Sequence, residues 1–510
     1  MKKILYMASL ALTFAFAGCD DFLTVESPDF STEIYWRDKS DVEAGLSAVY
    51  GQLENRTSNY GFAEHKYPVE TFRGDDVAIG DDINNYPDMK DLYEYTYTNE
   101  NATTKEYWMN NYNGINYANN VIFGIDKVQT SGEKMSDEDY NHLMGEAVFL
   151  RAYYHFKLIL NWEDIIIRDE YLTSEEQVHK AISPRIDCWD FICTELEKAA
   201  NLLPETRPST ETGRVTKDVA YAYLGWSYLT RAYEETDKKD TYLSQAIAAF
   251  NNVKHAALEP DFESMFNGTN KNCQESIFEL QFTNITSDGA YHKHVMHYWV
   301  AAPSMGGWDE IRVSPMMYNE FLKEGKIANN NTQYDARAYA SMIFDDAYYA
   351  ADNSIFGEYN YADCFPSGSK TAYCFKKLMP STYEEFAQSS VYTNVPLMRY
   401  ANVMLMKAEA LNEQGTEAGR TEAINLINEI RSVHGKLPPM EGNSYEAVKA
   451  QIEHERLVEF SMECYRFYDL RRWGKLEEAM KTDDRSNFNI SEDQFLPIPL
   501  MESQSNNDVN

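Results

Sequence analysis

Apolar residues recur every three or four positions through most of this chain, and that spacing restricts it to a helical fold. Over 142–160 the residues Leu143, Ala147, Leu150, Tyr154 and Leu158 mark one face of a helix. A helix over 187–202 stops at Leu203-Pro204, and a segment rich in Ala, Leu and Tyr follows over 216–231, with Gly213 and Thr216 at its start. Further helices are predicted over 243–256, 398–412 and 421–434, the last two joined around Gly415 and Gly419, and a final long helix over 445–473. Helices of roughly 15 residues joined by short turns make hairpins that stack side by side, as tetratricopeptide-type repeats do. No strict repeat of about 34 residues is present, so the expected class is mainly α: an irregular, tetratricopeptide-like hairpin scaffold. Two polar, aromatic stretches without helical period, 55–104 and 283–390, interrupt it. Long irregular segments in a compact domain tend to carry function, so the ligand-binding part is expected there. Tyr93, Tyr95 and Tyr97 alternate, which predicts a short strand.

The N-terminus is a secretory signal. Lys2 and Lys3 precede an apolar run over 4–17, followed by Phe16-Ala17-Gly18-Cys19. The run is about half of the ~20 residues that span a bilayer. Its end resembles the lipobox of bacterial lipoproteins, with Phe16 where Leu is usual; this implies acylation at Cys19 and a mature chain starting there. Two or more acyl chains, at ~0.8 kcal/mol per buried methylene, would hold such a chain to a membrane permanently. The 46 basic and 81 acidic residues give a net charge of −35, which argues against nucleic acid, because phosphate binding needs a basic face. Seven cysteines include Cys19; Cys188 and Cys193 diverge on a helix, while Cys364 and Cys374 flank a loop and either pair or remain isolated thiols.

Neither catalysis nor metal binding is expected. Glu455, Glu459 and Glu463 fall on successive turns of one helix face, roughly 6 Å apart. A retaining glycosidase needs carboxylates ~5–5.5 Å apart on opposite sides of a sugar. Neighbours on one helix point the same way, and Arg456, Arg466 and Arg471 lie close in sequence, so the group reads as a structural ion-pair ladder. His454-Glu455 is no zinc motif, since position 458 is Val. His292, His294 and His297 offer imidazoles to a transition metal, but Tyr291, Tyr298 and Trp299 around them favour a solvated loop or ligand-facing wall. Asp81, Asp82, Asn84, Asn85 and Asp88 supply calcium-type oxygens without the spacing of a calcium loop, and read as a polar loop.

Sugar recognition needs an aromatic ring against the pyranose C–H face and planar polar groups beside it, and the chain has 37 tyrosines. The ligand-binding candidates are Trp299 and Trp308 from the second stretch, and Arg73, Asp75 and Tyr86 from the first. The alternative for each is packing within its own loop. Trp108 shares a helical face with Tyr112, Ile115 and Asn119 and reads as core.

Several segments together resemble the SusD/RagB family of nutrient-binding outer-membrane lipoproteins. These are Glu455-Arg456-Leu457-Val458-Glu459-Phe460 through Arg466-Phe467-Tyr468-Asp469-Leu470-Arg471-Arg472-Trp473-Gly474, Phe495-Leu496-Pro497-Ile498-Pro499, and Arg399-Tyr400-Ala401 with Leu405-Met406-Lys407-Ala408-Glu409-Ala410. Leu150-Arg151-Ala152-Tyr153-Tyr154, Gly213-Arg214-Val215-Thr216, Glu275-Ser276-Ile277-Phe278-Glu279 and Arg312-Val313-Ser314-Pro315 complete the order. Asn161-Trp162-Glu163-Asp164 departs from the usual glycine and Pro-containing turn. The resemblance implies a signal peptide over 1–18 and one SusD-like domain over 19–510, with the loops gathered above the scaffold. It further implies a cell-surface lipoprotein that captures oligosaccharide and passes it to a SusC-type TonB-dependent transporter, without a cofactor. Asp20 and Asp21 resemble the surface-export flank of Bacteroidetes lipoproteins. Other expectations left open are a peptide or another nutrient as ligand, and a surface glycoside hydrolase.

Overall fold

The computed structural model describes residues 35–54, 66–254, 257–284 and 293–509; Cys19 and His292 lie outside them. Ten helices carry the scaffold: α1 (Lys39–Gly51), α2 (Ala102–Thr130), α3 (Asp137–Asn161), α4 (Arg185–Leu202), α5 (Lys217–Glu234), α6 (Lys239–Asn252), α7 (Tyr400–Glu413), α8 (Glu417–Ile430), α9 (Tyr445–Glu459) and α10 (Arg466–Arg472). Their starts are written in short polar side chains. Asp38, Asn101, Ser136, Thr416 and Ser444 each accept a hydrogen bond from a backbone N–H of the first turn. Each helix from α1 to α7 packs on the next in the chain, and α7 also packs on α9, which gives the expected array of stacked hairpins. Close approach within a hairpin relies on missing side chains: a Cβ on Gly225 of α5 would sit 2.3 Å from the Phe250 ring of α6.

α3 lies at the centre. Every residue from Leu143 to Asn161 is buried, so the apolar stripe read from its sequence is only one of its packed faces. Its polar residues are paired inside the protein: Arg151 with Glu195, Lys157 with Glu70 at 2.7 Å, and Glu146 with Arg207 and Arg214. Trp108 is 1% exposed, as a core residue should be.

Three short antiparallel pairs join distant parts of the chain. β1 (Val77–Ile79) pairs with β3 (Ile311–Val313), β2 (Ser276–Leu280) with β6 (Val395–Arg399), and β4 (Met342–Phe344) with β5 (Tyr373–Phe375). The first pair, in register Val77↔Val313 and Ile79↔Ile311, ties the first aromatic stretch to the second. That second stretch is built of short helices and strands rather than irregular chain. One hydrophobic cluster runs from Trp36 to Val509 through scaffold and loops alike.

Two expected elements differ. Tyr93-Tyr95-Tyr97 is not a strand: a helix spans Pro87–Glu94, started by Pro87, and Tyr95 ends it in the left-handed region at φ 55°. Met89 and Leu92, three apart, are the residues that it buries. The long last helix breaks after Glu459, where Met462 (φ 62°) and Cys464 (φ 67°) turn the chain before α10. The break frees Glu463 from the α9 face to meet Lys377 at 2.6 Å and lets Arg466 reach Asp75. Cys364 and Cys374 are both buried free thiols.

Candidate functional site

The glutamate ladder is a structural element, as expected, but its cations come from elsewhere. Glu455 meets Arg337 at 2.8 Å and Arg431 at 2.6 Å. Glu459 meets Arg337, Arg399 and His434 at 3.1, 2.9 and 2.9 Å, and Glu463 meets Arg399 and Lys377. Glu455 and Glu459 are both 0% exposed, so no sugar can reach them. The sequence neighbours serve other contacts: Arg456 binds Asp469, Arg466 binds Asp75, and Arg471 donates to backbone carbonyls. Burial penalises each charge, and the opposite charges packed around it offset the penalty. The Glu459 carboxyl is accordingly held well below the usual range by His434 and Arg399 against the cost of burial.

Arg73 and Asp75, expected at the ligand face, are turned inward. Arg73 is 0% exposed; its Nη2 donates to Asn161 Oδ1 at 2.5 Å and its guanidinium lies 4.1 Å from the centre of the Phe467 ring. Asp75 accepts both Arg466 bonds, at 2.6 and 2.9 Å, and its backbone carbonyl accepts from the Ser314 hydroxyl. These two residues clamp the first stretch to α3, α10 and the chain after β3. Their fork-and-carboxylate chemistry, which suits sugar hydroxyls, equally suits a buried clamp.

Of the other three candidates, Trp308 lines a cleft, whereas Trp299, expected as an open platform, is packed into the core beside Tyr86. Trp299 is 3% exposed, with the half-buried Tyr86 ring 6.5 Å away. Trp308 is half-buried and stacks on Tyr298, with ring centres 5.2 Å apart and planes 27° apart. The Tyr298 hydroxyl donates to the Gln388 carbonyl, which fixes the ring beneath Trp308. Trp308 forms part of a cleft of about 320 Å³, shared with Asp81, Asp82, Arg312, Ser369 and Lys370. The cleft exists because β1 and β3 pair. Just beyond β1, a Cβ on Gly80 would overlap the Asp309 carbonyl at 1.8 Å, so only glycine allows the two stretches to meet. Asp309 itself sits at φ 59°, held by the Arg312 Nε at 2.6 Å. Lys370 pairs with Asp81 across the rim. Behind the rim, burial pushes the Glu310 carboxyl up to about 8, and this side chain is 2% exposed. An aromatic face beside ionic and hydroxyl groups, in a cleft open to solvent, is the arrangement that sugar binding uses.

The remaining polar motifs are accounted for by structure. His294 and His297 are buried beside the Thr393 and Gln388 carbonyls, at 2.8 and 3.1 Å, and burial pulls them down to about 3 and about 4, so they are neutral struts. Asp88 accepts from the Ala102 N–H at the start of α2, and Asn84 donates to the Asp81 carbonyl, which leaves a polar loop. Among the described residues, the carboxylate–histidine groups close enough to hold an ion are Glu275–His434–Glu459 and Glu324–His454–Glu455. Arginines Arg399 and Arg431 already occupy them. Sequence reasoning missed Asp309, Arg312 and Lys370; the one available signal was Arg312 standing between Ile311 and Val313, the pattern of a strand with one side open.

Residues 274–507 match the SusD family, and residues 21–229 match a family described as starch-binding, associating with outer membrane. A SusD-like protein of Formosa agariphila is 24% identical, with 100% of this chain and 99% of the relative covered; a second from the same organism is 26% identical over 91% and 90%. A SusD superfamily protein from Bacteroides vulgatus superposes with a TM-score of 0.80 at 27% identity, covering 93% of this chain and 99% of its own. A laminarin-binding SusD-like protein shares the fold with a TM-score of 0.74 at 24% identity, covering 93% and 99%. With both halves of the chain matched and the helical scaffold shared along its length, this chain belongs to the SusD family.

Proposed function

We propose that the chain is a lipid-anchored protein of the outer-membrane surface that captures an oligosaccharide in the Trp308 cleft and hands it to a SusC-type TonB-dependent transporter. The observation that carries this reading is the stacked Trp308–Tyr298 pair standing beside Asp81, Arg312, Ser369 and Lys370 in one open cleft. A pyranose would lay its C–H face on Trp308, while the ring beneath keeps that face in place before the sugar arrives. Hydroxyls at the sugar edge would then meet the fork of Arg312 and the oxygens of Asp81 and Ser369. Trp299 and Tyr86 form a separate aromatic contact, with Tyr86 the more open of the two. A neutral sugar feels no net Coulomb force from an acidic protein, so binding should depend little on salt.

The reading is of binding without hydrolysis. The carboxylates with the best helical spacing, Glu455 and Glu459, are sealed in ion pairs, and the Glu310 carboxyl is buried behind the cleft. Membrane attachment would come from Cys19, in keeping with the outer-membrane association in the description of the family that 21–229 match. A glycan array probed with the chain from Asp20 onward, beside a peptide library, tests the proposal. Binding to a narrow set of oligosaccharides without release of reducing sugar is the expected result. Binding to peptides alone, or release of reducing ends, would overturn it.

A further inference from the structure

A second cavity, of about 300 Å³, lies in the helical scaffold among residues remote in sequence from the cleft: Leu160 at the end of α3, Arg185 at the start of α4, Glu234 at the end of α5, Arg471 on α10, and Phe495. Its charges do not balance. Arg185 binds Glu234 through two 2.7 Å bonds, and Trp189 Nε1 donates to the same carboxylate, so Glu234 is fully engaged. Arg472 is likewise matched by Glu409 and Asp469. Arg471 is not. Its Nη1 donates to the Leu160 and Gln494 carbonyls, at 2.7 and 3.2 Å, and its guanidinium lies 4.5 Å from the centre of the Phe495 ring. Among the described residues no carboxylate pairs with it, and its Nε and Nη2 make no hydrogen bond. Burial and the nearby Arg185 pull Arg471 down to about 9 against the attraction of Glu234, the opposite direction from the paired Arg472. Arg471 is only partly exposed and, among the described residues, has no ion pair of its own, although a protein of net charge −35 had carboxylates in abundance to supply one.

We infer that this cavity is a binding site for a small organic monocarboxylate, whose two oxygens take the open edge of Arg471 while its body packs against Phe495 and Tyr468. Among the arginines that line the cavity, Arg471 is the one without an ion pair, which fits a monoanion. A planar carboxylate matches a guanidinium edge in a two-bond fork, and the aromatic walls suit a carbon body that inorganic phosphate lacks. The volume admits an acid of about the size of one sugar unit.

Calorimetry on the chain from Asp20 onward, with glucuronate, glucose and inorganic phosphate as probes, tests this. Glucuronate should bind at one site with a Kd near about 1 mM or below and raise the melting temperature, while glucose and phosphate give no comparable heat. Arg471→Gln should weaken glucuronate about tenfold or more. Arg471→Lys, which keeps the charge and loses the fork, should weaken it to an intermediate degree. Trp308→Ala should leave it unchanged, which separates this cavity from the cleft. No glucuronate binding by the unmodified protein up to about 10 mM would overturn the inference, as would equal binding of glucose or phosphate, or binding indifferent to Arg471.

Discussion

His434 should give this protein a pH-dependent stability that one substitution removes. The ring lies between Glu275 Oε2 at 3.0 Å and Glu459 Oε1 at 2.9 Å, 1% exposed, with Phe262 packed beside it. Both nitrogens face carboxylates, so the imidazolium is the form that fits; Arg399 shares the same two carboxylates, and Arg337 shares Glu459. Burial opposes the charge, yet the two glutamates outweigh it and raise His434 from 6.5 to about 9. The folded protein therefore holds this proton more tightly than the unfolded chain. The resulting stability is complete below pH 6.5 and is lost as pH rises through about 9. At ~1.4 kcal/mol for each pH unit between the two values, the loss is about 3 kcal/mol. Urea denaturation of the unmodified protein and of His434→Gln, at about pH 6 and about pH 9.5, measures it. His454, raised to about 9 beside Glu320 and Glu324, titrates in both proteins and cancels in the comparison. The stability advantage of the unmodified protein should shrink by about 3 kcal/mol across this range. A constant difference would mean that His434 is neutral in the folded state and that the charge assignment is wrong.

Three further outcomes are expected. Cys19→Ala should release the protein from the membrane fraction in a cell that acylates lipoproteins; retention there would remove the anchor from the proposal. Glu459→Gln should cost about 3–5 kcal/mol, because Arg337, Arg399 and His434 lose a shared partner, and should change no sugar hydrolysis; a denaturation midpoint unchanged from the parent would contradict this. Gly225→Ala should cost about 1–3 kcal/mol, since its methyl would press into the Phe250 ring, and a thermal melt reads the effect directly.

Helix existence was legible because α2 to α9 repeat apolar residues at helical spacing and begin on capping side chains such as Ser136 and Ser444. Where neighbouring residues in sequence end up on different sides of the chain, spacing alone misleads. The tyrosines at 93, 95 and 97 alternate as a strand would, yet Pro87 starts a helix and Tyr95 caps it. The 445–473 segment keeps a helical pattern across a break made by Met462 and Cys464, neither of them a glycine that would have announced it. The ladder glutamates were recognisable, but their arginines arrive from positions 337, 399 and 431, which only tertiary packing brings close. The two polar, aromatic stretches were marked by composition, and Trp308 of the second one lines the cleft. Composition does not distinguish a polar residue that faces solvent from one that clamps a loop, so Arg73 and Asp75 were assigned to the surface and lie in the interior.

The most direct test of the proposed role is calorimetric titration of the oligosaccharide selected by a glycan array into the unmodified protein and into Trp308→Ala. Trp308 is half-buried on a short loop and stacks on Tyr298, so its removal should leave the scaffold folded. Losing the stacking face should cost about 1–3 kcal/mol of binding, a tenfold or greater loss of affinity, at low and at high salt alike. Unchanged affinity in Trp308→Ala would place the sugar elsewhere and contradict the assignment of the cleft.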